Sequence, residues 1–132
     1  MAILIDASYY LAISNLDDVH HKRAVLISEK IDQNQYGLPI ITDDIFDEIV
    51  SVTLRKFGKA RAQIIAKQLT EHFLIIHGTK QTFSHALKMF NSTQYSFSFT
   101  DCTSQAIMKL GNVRHIATFD KLFEKVDIDV VY

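Results

Sequence analysis

The sequence predicts an α/β fold: a mainly parallel, about five-stranded central sheet with helices on both faces, three layers (α/β/α) in all. Three observations predict it. Short apolar runs of strand length recur at 2–5, 38–41, 73–77, 115–118 and 127–131. Between them lie longer stretches whose apolar residues repeat at helical spacing. Strands that alternate with helices pair in parallel, because each helix carries the chain back across the sheet.

Ala2-Ile3-Leu4-Ile5 is apolar throughout, as a strand buried on both faces must be. Residues 7–15 read as a helix, Asp17-Asp18 as a polar break, and 20–31 as a second helix with Ala24, Ile27 and Ile31 on one stripe. The segment 33–37 reads as loop. Leu38-Pro39-Ile40-Ile41 is the second strand, with its proline near the start, where a missing donor is tolerated. Thr42 or Asp43 can cap a helix reaching Phe57, and Gly58 stands where a C-terminal glycine is expected. A helix over 59–71 carries Ala62, Ile65, Ala66 and Leu69. After the strand 73–77, Thr79 starts a helix with Phe83, Ala86, Leu87 and Phe90, and 91–99 reads as a polar, aromatic loop. Thr100 is read as the cap of a helix over 101–110, closed by Gly111-Asn112; strand 115–118, a helical turn near 121–124 and strand 127–131 follow.

The 132 residues are 48% hydrophobic and 22% charged, which fits one domain over 1–132. A net charge of −1 excludes nucleic-acid binding by bulk charge and leaves only a local basic patch. Cys102 is the only cysteine, which excludes an internal disulfide and a cysteine zinc cluster. With no basic leader and no apolar run of about 20 residues, neither secretion nor a membrane span is expected. The expected location is the cytoplasm.

Ligands of parallel sheets bind at the carboxyl ends of the strands, so the residues that follow strands matter most. Asp6 directly follows strand one, and Asp120 follows strand four. Each has an ordinary alternative as a helix cap or turn residue. Glu48 lies inside a helix, on the border of the stripe Ile45, Phe46, Ile49, Val50 and Val52, from which it can reach over the sheet edge. Its like-charged neighbour Asp44, four residues earlier, mildly destabilises that helix. Asp101 begins a helix, where favourable interaction with the helix dipole would suffice to explain it. Together, four carboxylates converging on one edge would raise one another's pKa values. A hard divalent cation, Mg²⁺ or Mn²⁺, relieves that repulsion. Ser8 and Thr118 lie near enough in sequence to hydrogen-bond such carboxylates.

Four segments then resemble a known family. Ile3-Leu4-Ile5-Asp6-Ala7-Ser8, Thr42-Asp43-Asp44-Ile45-Phe46-Asp47-Glu48, Ser98-Phe99-Thr100-Asp101 and Ala117-Thr118-Phe119-Asp120-Lys121-Leu122-Phe123 resemble, in order, the acidic motifs of PIN domains. The small size is similar to the toxins of VapBC-type toxin–antitoxin pairs. The resemblance implies a magnesium- or manganese-dependent ribonuclease with Asp6, Glu48, Asp101 and Asp120 as the catalytic and metal-binding acids, supported by Ser8 and Thr118. It further implies an RNA substrate, a small antitoxin partner and a homodimer. The aromatic segment 90–99 and the early helices would offer contact surface. The densest basic run, Arg55, Lys56, Lys59 and Arg61, could grip the RNA backbone, although cations at a helix end also complement its dipole.

Two rival classes stand beside the nuclease. One is an interaction or RNA-binding module that kept the fold without the chemistry; the other is a phosphotransfer protein using Asp6, which lacks the Asp-x-Asp pattern such hydrolases carry. An RNA-processing nuclease outside a toxin–antitoxin system would share the same site. Histidines are scattered with no His-x-x-x-His pair, so zinc is not expected. Cys102 is expected to be a half-buried packing residue.

Overall fold

Ile3, Leu4 and Ile5 are all fully buried, so the first strand, β1 (Ala2–Ile5), presents apolar side chains to both sides of the sheet. The computed structural model describes residues 1–132. After β1 come α1 (Ala7–Ser14), α2 (His21–Asp32), β2 (Leu38–Thr42), α3 (Asp43–Phe57), α4 (Lys59–His72), β3 (Leu74–Ile76), α5 (Lys80–Ser92) and α6 (Phe99–Leu110). The chain closes with β4 (His115–Ala117), a short 3₁₀ turn (Lys121–Lys125) and β5 (Asp129–Val130).

The five strands form one sheet in the order β3-β2-β1-β4-β5, and every pairing is parallel. The first two crossovers step outward from β1 to β2 and β3; the third returns to the other side of β1. Right-handed crossovers therefore place α1–α4 on one face and α5–α6 on the other. The packing agrees: α1 contacts α2 and α3, α3 lies along α4, and α5 lies along α6. The reversal between β1 and β4 is a topological switch point, where adjacent strands send their chains to opposite faces and leave a crevice at their carboxyl ends.

Pro39 sits in an interior strand, yet its missing donor costs no ladder bond. Leu38 donates to Met1 on the β1 side, so position 39 faces the β3 side, and β3 begins only opposite Ile40. Gly58, at φ +89°, joins α3 to α4 in a conformation that side chains rarely adopt. Of the two cap candidates for α3 it is Thr42 that serves: its fully buried hydroxyl accepts from the Ile45 N–H at 3.0 Å.

Three expectations near α6 are corrected. Its cap is Ser98, not Thr100: the Ser98 hydroxyl accepts from the Asp101 N–H, and the Asp101 carboxylate accepts from the Ser98 N–H, both at 3.1 Å. This reciprocal pair satisfies two donors where the Thr100 reading offered one. The expected loop 91–99 is also shorter, because α5 runs on to Ser92 and α6 begins at Phe99. Its aromatics are not a displayed cluster: Phe97 is buried, against Phe123 at a ring separation of 5.3 Å. Cys102 is fully rather than half-buried. Its burial, and then the Asp101 charge, push the thiol pKa up, away from nucleophilic character.

Candidate active site at the strand switch point

Asp6 leaves β1 where β4 ends, and its backbone N–H donates to Ala117 at 3.0 Å. Its buried side chain does not cap α1. Instead, Asp6 Oδ2 accepts from Ser8 Oγ at 2.8 Å and from Thr118 Oγ1 at 2.7 Å. Each hydroxyl has one proton, and both are aimed at the same oxygen. The 3.2 Å approach between the two hydroxyls is therefore a contact without a proton in it. The hydroxyl oxygens in turn accept from the chain beyond β4: Phe119 N–H to Ser8 Oγ and Asp120 N–H to Thr118 Oγ1, each at 3.0 Å. This net stitches the ends of β1 and β4 together and leaves Asp6 Oδ1 without a protein partner.

The other three acids approach from three directions. Glu48 is on α3, exposed, and makes no hydrogen bond or ion pair. Its pKa is raised, first by partial loss of water around the carboxyl, then by repulsion from Asp6 and Asp101. Asp101 is half-buried at the start of α6. Burial raises its pKa, its hydrogen bonds with Ser98 oppose that, and Asp6 and Asp120 raise it further. Asp120 caps the 3₁₀ turn, its Oδ1 accepting from the Leu122 N–H at 3.0 Å. The ordinary reading of Asp120 as a cap is thus realised, and Asp101 does stand in the first turn of its helix; Asp101 still lies within electrostatic reach of both Asp6 and Asp120.

No Lys, Arg or His lies within ion-pair distance of any of the four. No protein cation therefore offsets their mutual repulsion. As the side chains lie, no three acids, histidines or cysteines stand close enough to hold one ion. The donor set fits a hard divalent cation in its chemistry, since every candidate ligand is a carboxylate oxygen. Closing on one ion needs side-chain rotation, and unbonded Glu48 has that freedom.

A broader acidic face was only partly anticipated. Asp44, Asp47, Glu48, Ser51 and Arg55 line one shallow hollow with Thr100 of α6. Their spacing along α3 is that of one helix face, a signal the sequence does carry. Asp44 is raised by burial and then by Asp43, with Asp47 adding to it. Asp43 itself turns away, accepting from Gly78 N–H at 3.3 Å.

The basic run divides. Arg55 shares the acidic hollow, whereas Lys56 and Arg61 line a separate groove against α1. Arg61 donates to the Ser14 carbonyl at 3.2 Å and lies over the Phe57 ring, so it is already engaged. Lys59 is exposed at the start of α4.

A raised carboxyl pKa means that the folded chain gives up that proton less readily than the unfolded chain. The folded state is favoured at low pH, and that advantage is lost as pH rises through the raised value. Glu48→Gln removes the penalty. Without divalent cations it is expected to raise the melting temperature at pH 7 by about 1–2 °C, a small effect because Glu48 is solvent-screened. The difference should vanish below about pH 4, where the wild-type carboxyl is protonated in both states. Thermal melts across pH check this; a lower melting temperature for the variant at pH 7 would contradict the repulsion.

Three solved structures share the fold. VapC20 of Mycobacterium tuberculosis, a sarcin-ricin loop cleaving toxin, superposes with a TM-score of 0.80 over 96% of this chain and 98% of its own, at 21% identity. VapBC-1 of nontypeable Haemophilus influenzae gives 0.76 over 99% and 97%, at 14% identity. VapBC2 of Rickettsia felis, bound to a DNA fragment from its promoter, gives 0.74 over 99% and 98%, at 9% identity. No protein-family model matches the chain. A VapC ribonuclease of Archaeoglobus fulgidus is 31% identical over 111 residues, covering 81% of this chain and 70% of the relative. The chain belongs to the VapC ribonuclease family.

Proposed function

We propose that this protein is the toxin of a toxin–antitoxin pair, an endoribonuclease that hydrolyses RNA phosphodiesters in the cytoplasm with Mg²⁺ or Mn²⁺ at Asp6, Glu48, Asp101 and Asp120. The observation that carries the reading is the approach of these carboxylates to one another at the strand switch point with no protein cation in ion-pair contact with any of them. Asp6 Oδ1, the second oxygens of Asp101 and Asp120, and the Glu48 carboxylate would hold the cation. The chemistry such a cation supplies when bound is charge neutralisation at the phosphodiester and activation of water for attack on phosphorus.

The chain's own contribution is placement. Ser8 and Thr118 fix the Asp6 rotamer through Oδ2 and leave Oδ1 without a protein partner. The capping pair with Ser98 fixes Asp101 in the same way. Glu48, with no such bond, is free to turn toward an attacking water and take its proton. Arg55, in the same hollow, is placed to meet a phosphate.

A small antitoxin that covers this acidic hollow would silence the enzyme, and the likeness to VapBC structures supports such a partner. Two exposed apolar areas offer docking surface: Leu16 and Val19 beyond α1, and Phe83, Leu87 and Phe90 along α5. A homodimer using one of them completes the proposed assembly.

RNA cleavage is expected to require Mg²⁺ or Mn²⁺ and to stop on chelation. Either ion is also expected to stabilise the folded chain, by about 2.7 kcal/mol at 100 times its dissociation constant. Thermal denaturation with and without the ion measures that. Cleavage indifferent to chelator, or no cleavage with either ion, would overturn the reading.

A further inference from the structure

Three aromatic rings stand in series beside the candidate site. Tyr9 is buried in the core, with its hydroxyl donating to the Ala24 carbonyl at 3.3 Å. Phe119 is half-buried and stacks on Tyr9 at a centroid separation of 6.2 Å. His20 is exposed and lies almost parallel to Phe119, at 4.5 Å and 9°. The series runs from core to solvent, and the His20 imidazole is its outermost ring. It is also tied to the acids: Phe119 sits between Thr118 and Asp120, and its N–H donates to Ser8, which holds Asp6.

We propose that His20 is a stacking platform for one unpaired nucleobase of the substrate RNA, held next to the phosphodiester presented to Asp120. The proposal rests on the nuclease reading above and extends it to how the substrate is recognised. Aromatic rings, histidine included, stack unpaired bases of single-stranded RNA, because every base has a π face and no pairing partner competes. The surroundings suit that ligand. His20, Thr118, Phe119 and Asp120 border one hollow of about 100 Å³ together with the exposed cations Arg23 and Lys121. That is space for about three waters, so a base would lie on the rim, over the imidazole, rather than inside. Arg23, poised over the Tyr132 ring at 5.4 Å, and Lys121 supply positive charge for the adjoining phosphate. Glu124, which lines this hollow along with Asp120, is engaged by the Tyr132 hydroxyl. In a chain of net charge −1, this is a local place where cations, an aromatic ladder and a candidate catalytic acid coincide.

The test compares wild type, His20→Ala and His20→Phe on a short single-stranded RNA, with Asp6→Asn as the inactive control. His20→Ala is expected to raise KM about five- to tenfold, the low end of base stacking because Phe119 remains beneath, with kcat within about twofold. His20→Phe, which keeps a ring there, should restore KM. A merely structural role for His20 would not predict the second arm: abasic sites placed singly along the RNA should raise KM at one position for wild type, and that penalty should disappear in His20→Ala. A wild-type KM in His20→Ala, no rescue by His20→Phe, or an unchanged abasic penalty would overturn the proposal. Loss of cleavage in Asp6→Asn alongside an indifferent His20→Ala would sink the stacking platform alone. Cleavage surviving in Asp6→Asn would instead sink the assignment of the acidic site on which it rests.

Discussion

Asp6→Asn is expected to lower RNA cleavage by more than about 100-fold while leaving the fold intact. The bound on this figure comes from its supports, since removing a hydrogen-bond partner of a metal-binding carboxylate costs about 10–100-fold. Thr118→Val, which deletes the 2.7 Å bond to Asp6 Oδ2, should fall within that range and the carboxylate itself beyond it. The physical reason lies in the two hydroxyls. Both Ser8 and Thr118 donate, so an asparagine must give them its carbonyl oxygen and aim its amide protons where Asp6 Oδ1 now points. The packing survives, but the anionic metal donor is replaced by a neutral amide whose N–H groups offer a metal no lone pair. Cleavage assays with circular dichroism on the same samples test this. A folded Asp6→Asn with wild-type activity would remove Asp6 from the chemistry.

Phe123→Ala is expected to cost about 3–5 kcal/mol of folding stability, the range for emptying a large aromatic site in a core. Phe123 is fully buried, packs on Phe97, and lies in the 3₁₀ turn that Asp120 caps. The substitution therefore leaves a cavity and also loosens the segment that presents Asp120. Domains of this kind are stable by roughly 5–15 kcal/mol, so much of the margin goes. Urea unfolding should show a strongly lowered midpoint, while Phe90→Ala, at 45% exposure, should shift it far less. Equal midpoints for the two variants would mean that Phe123 does not anchor the core.

The parallel sheet was legible because β1 is apolar at every position, a pattern that only a strand covered on both faces can sustain. The positions of Asp6 and Asp120 beyond the ends of β1 and β4, and of Glu48 within α3, were legible from the strand and helix patterns. The start of α6 was misread for a physical reason. Serine and threonine both cap helices, and the choice turned on Asp101 reaching back to the Ser98 N–H, a reciprocal bond that depends on backbone geometry. The division of the basic run was invisible for a similar reason: Arg55 and Arg61 are near in sequence, but Gly58 turns the chain between them, and only Arg55 stays beside the acids. The stack of His20 on Phe119 joins residues far apart along the chain, and no local pattern announces it.

The reciprocal pair at Ser98 and Asp101 bears on how other sequences of this kind should be interpreted. A descendant that had given up catalysis would still gain from an acid at position 101, because the helix start depends on it. Retention there is weak testimony to activity. Glu48 has no such second employment, and its ionised form burdens the folded chain. Its replacement by a neutral residue would be the clearer mark of a lineage that kept the architecture and abandoned the reaction.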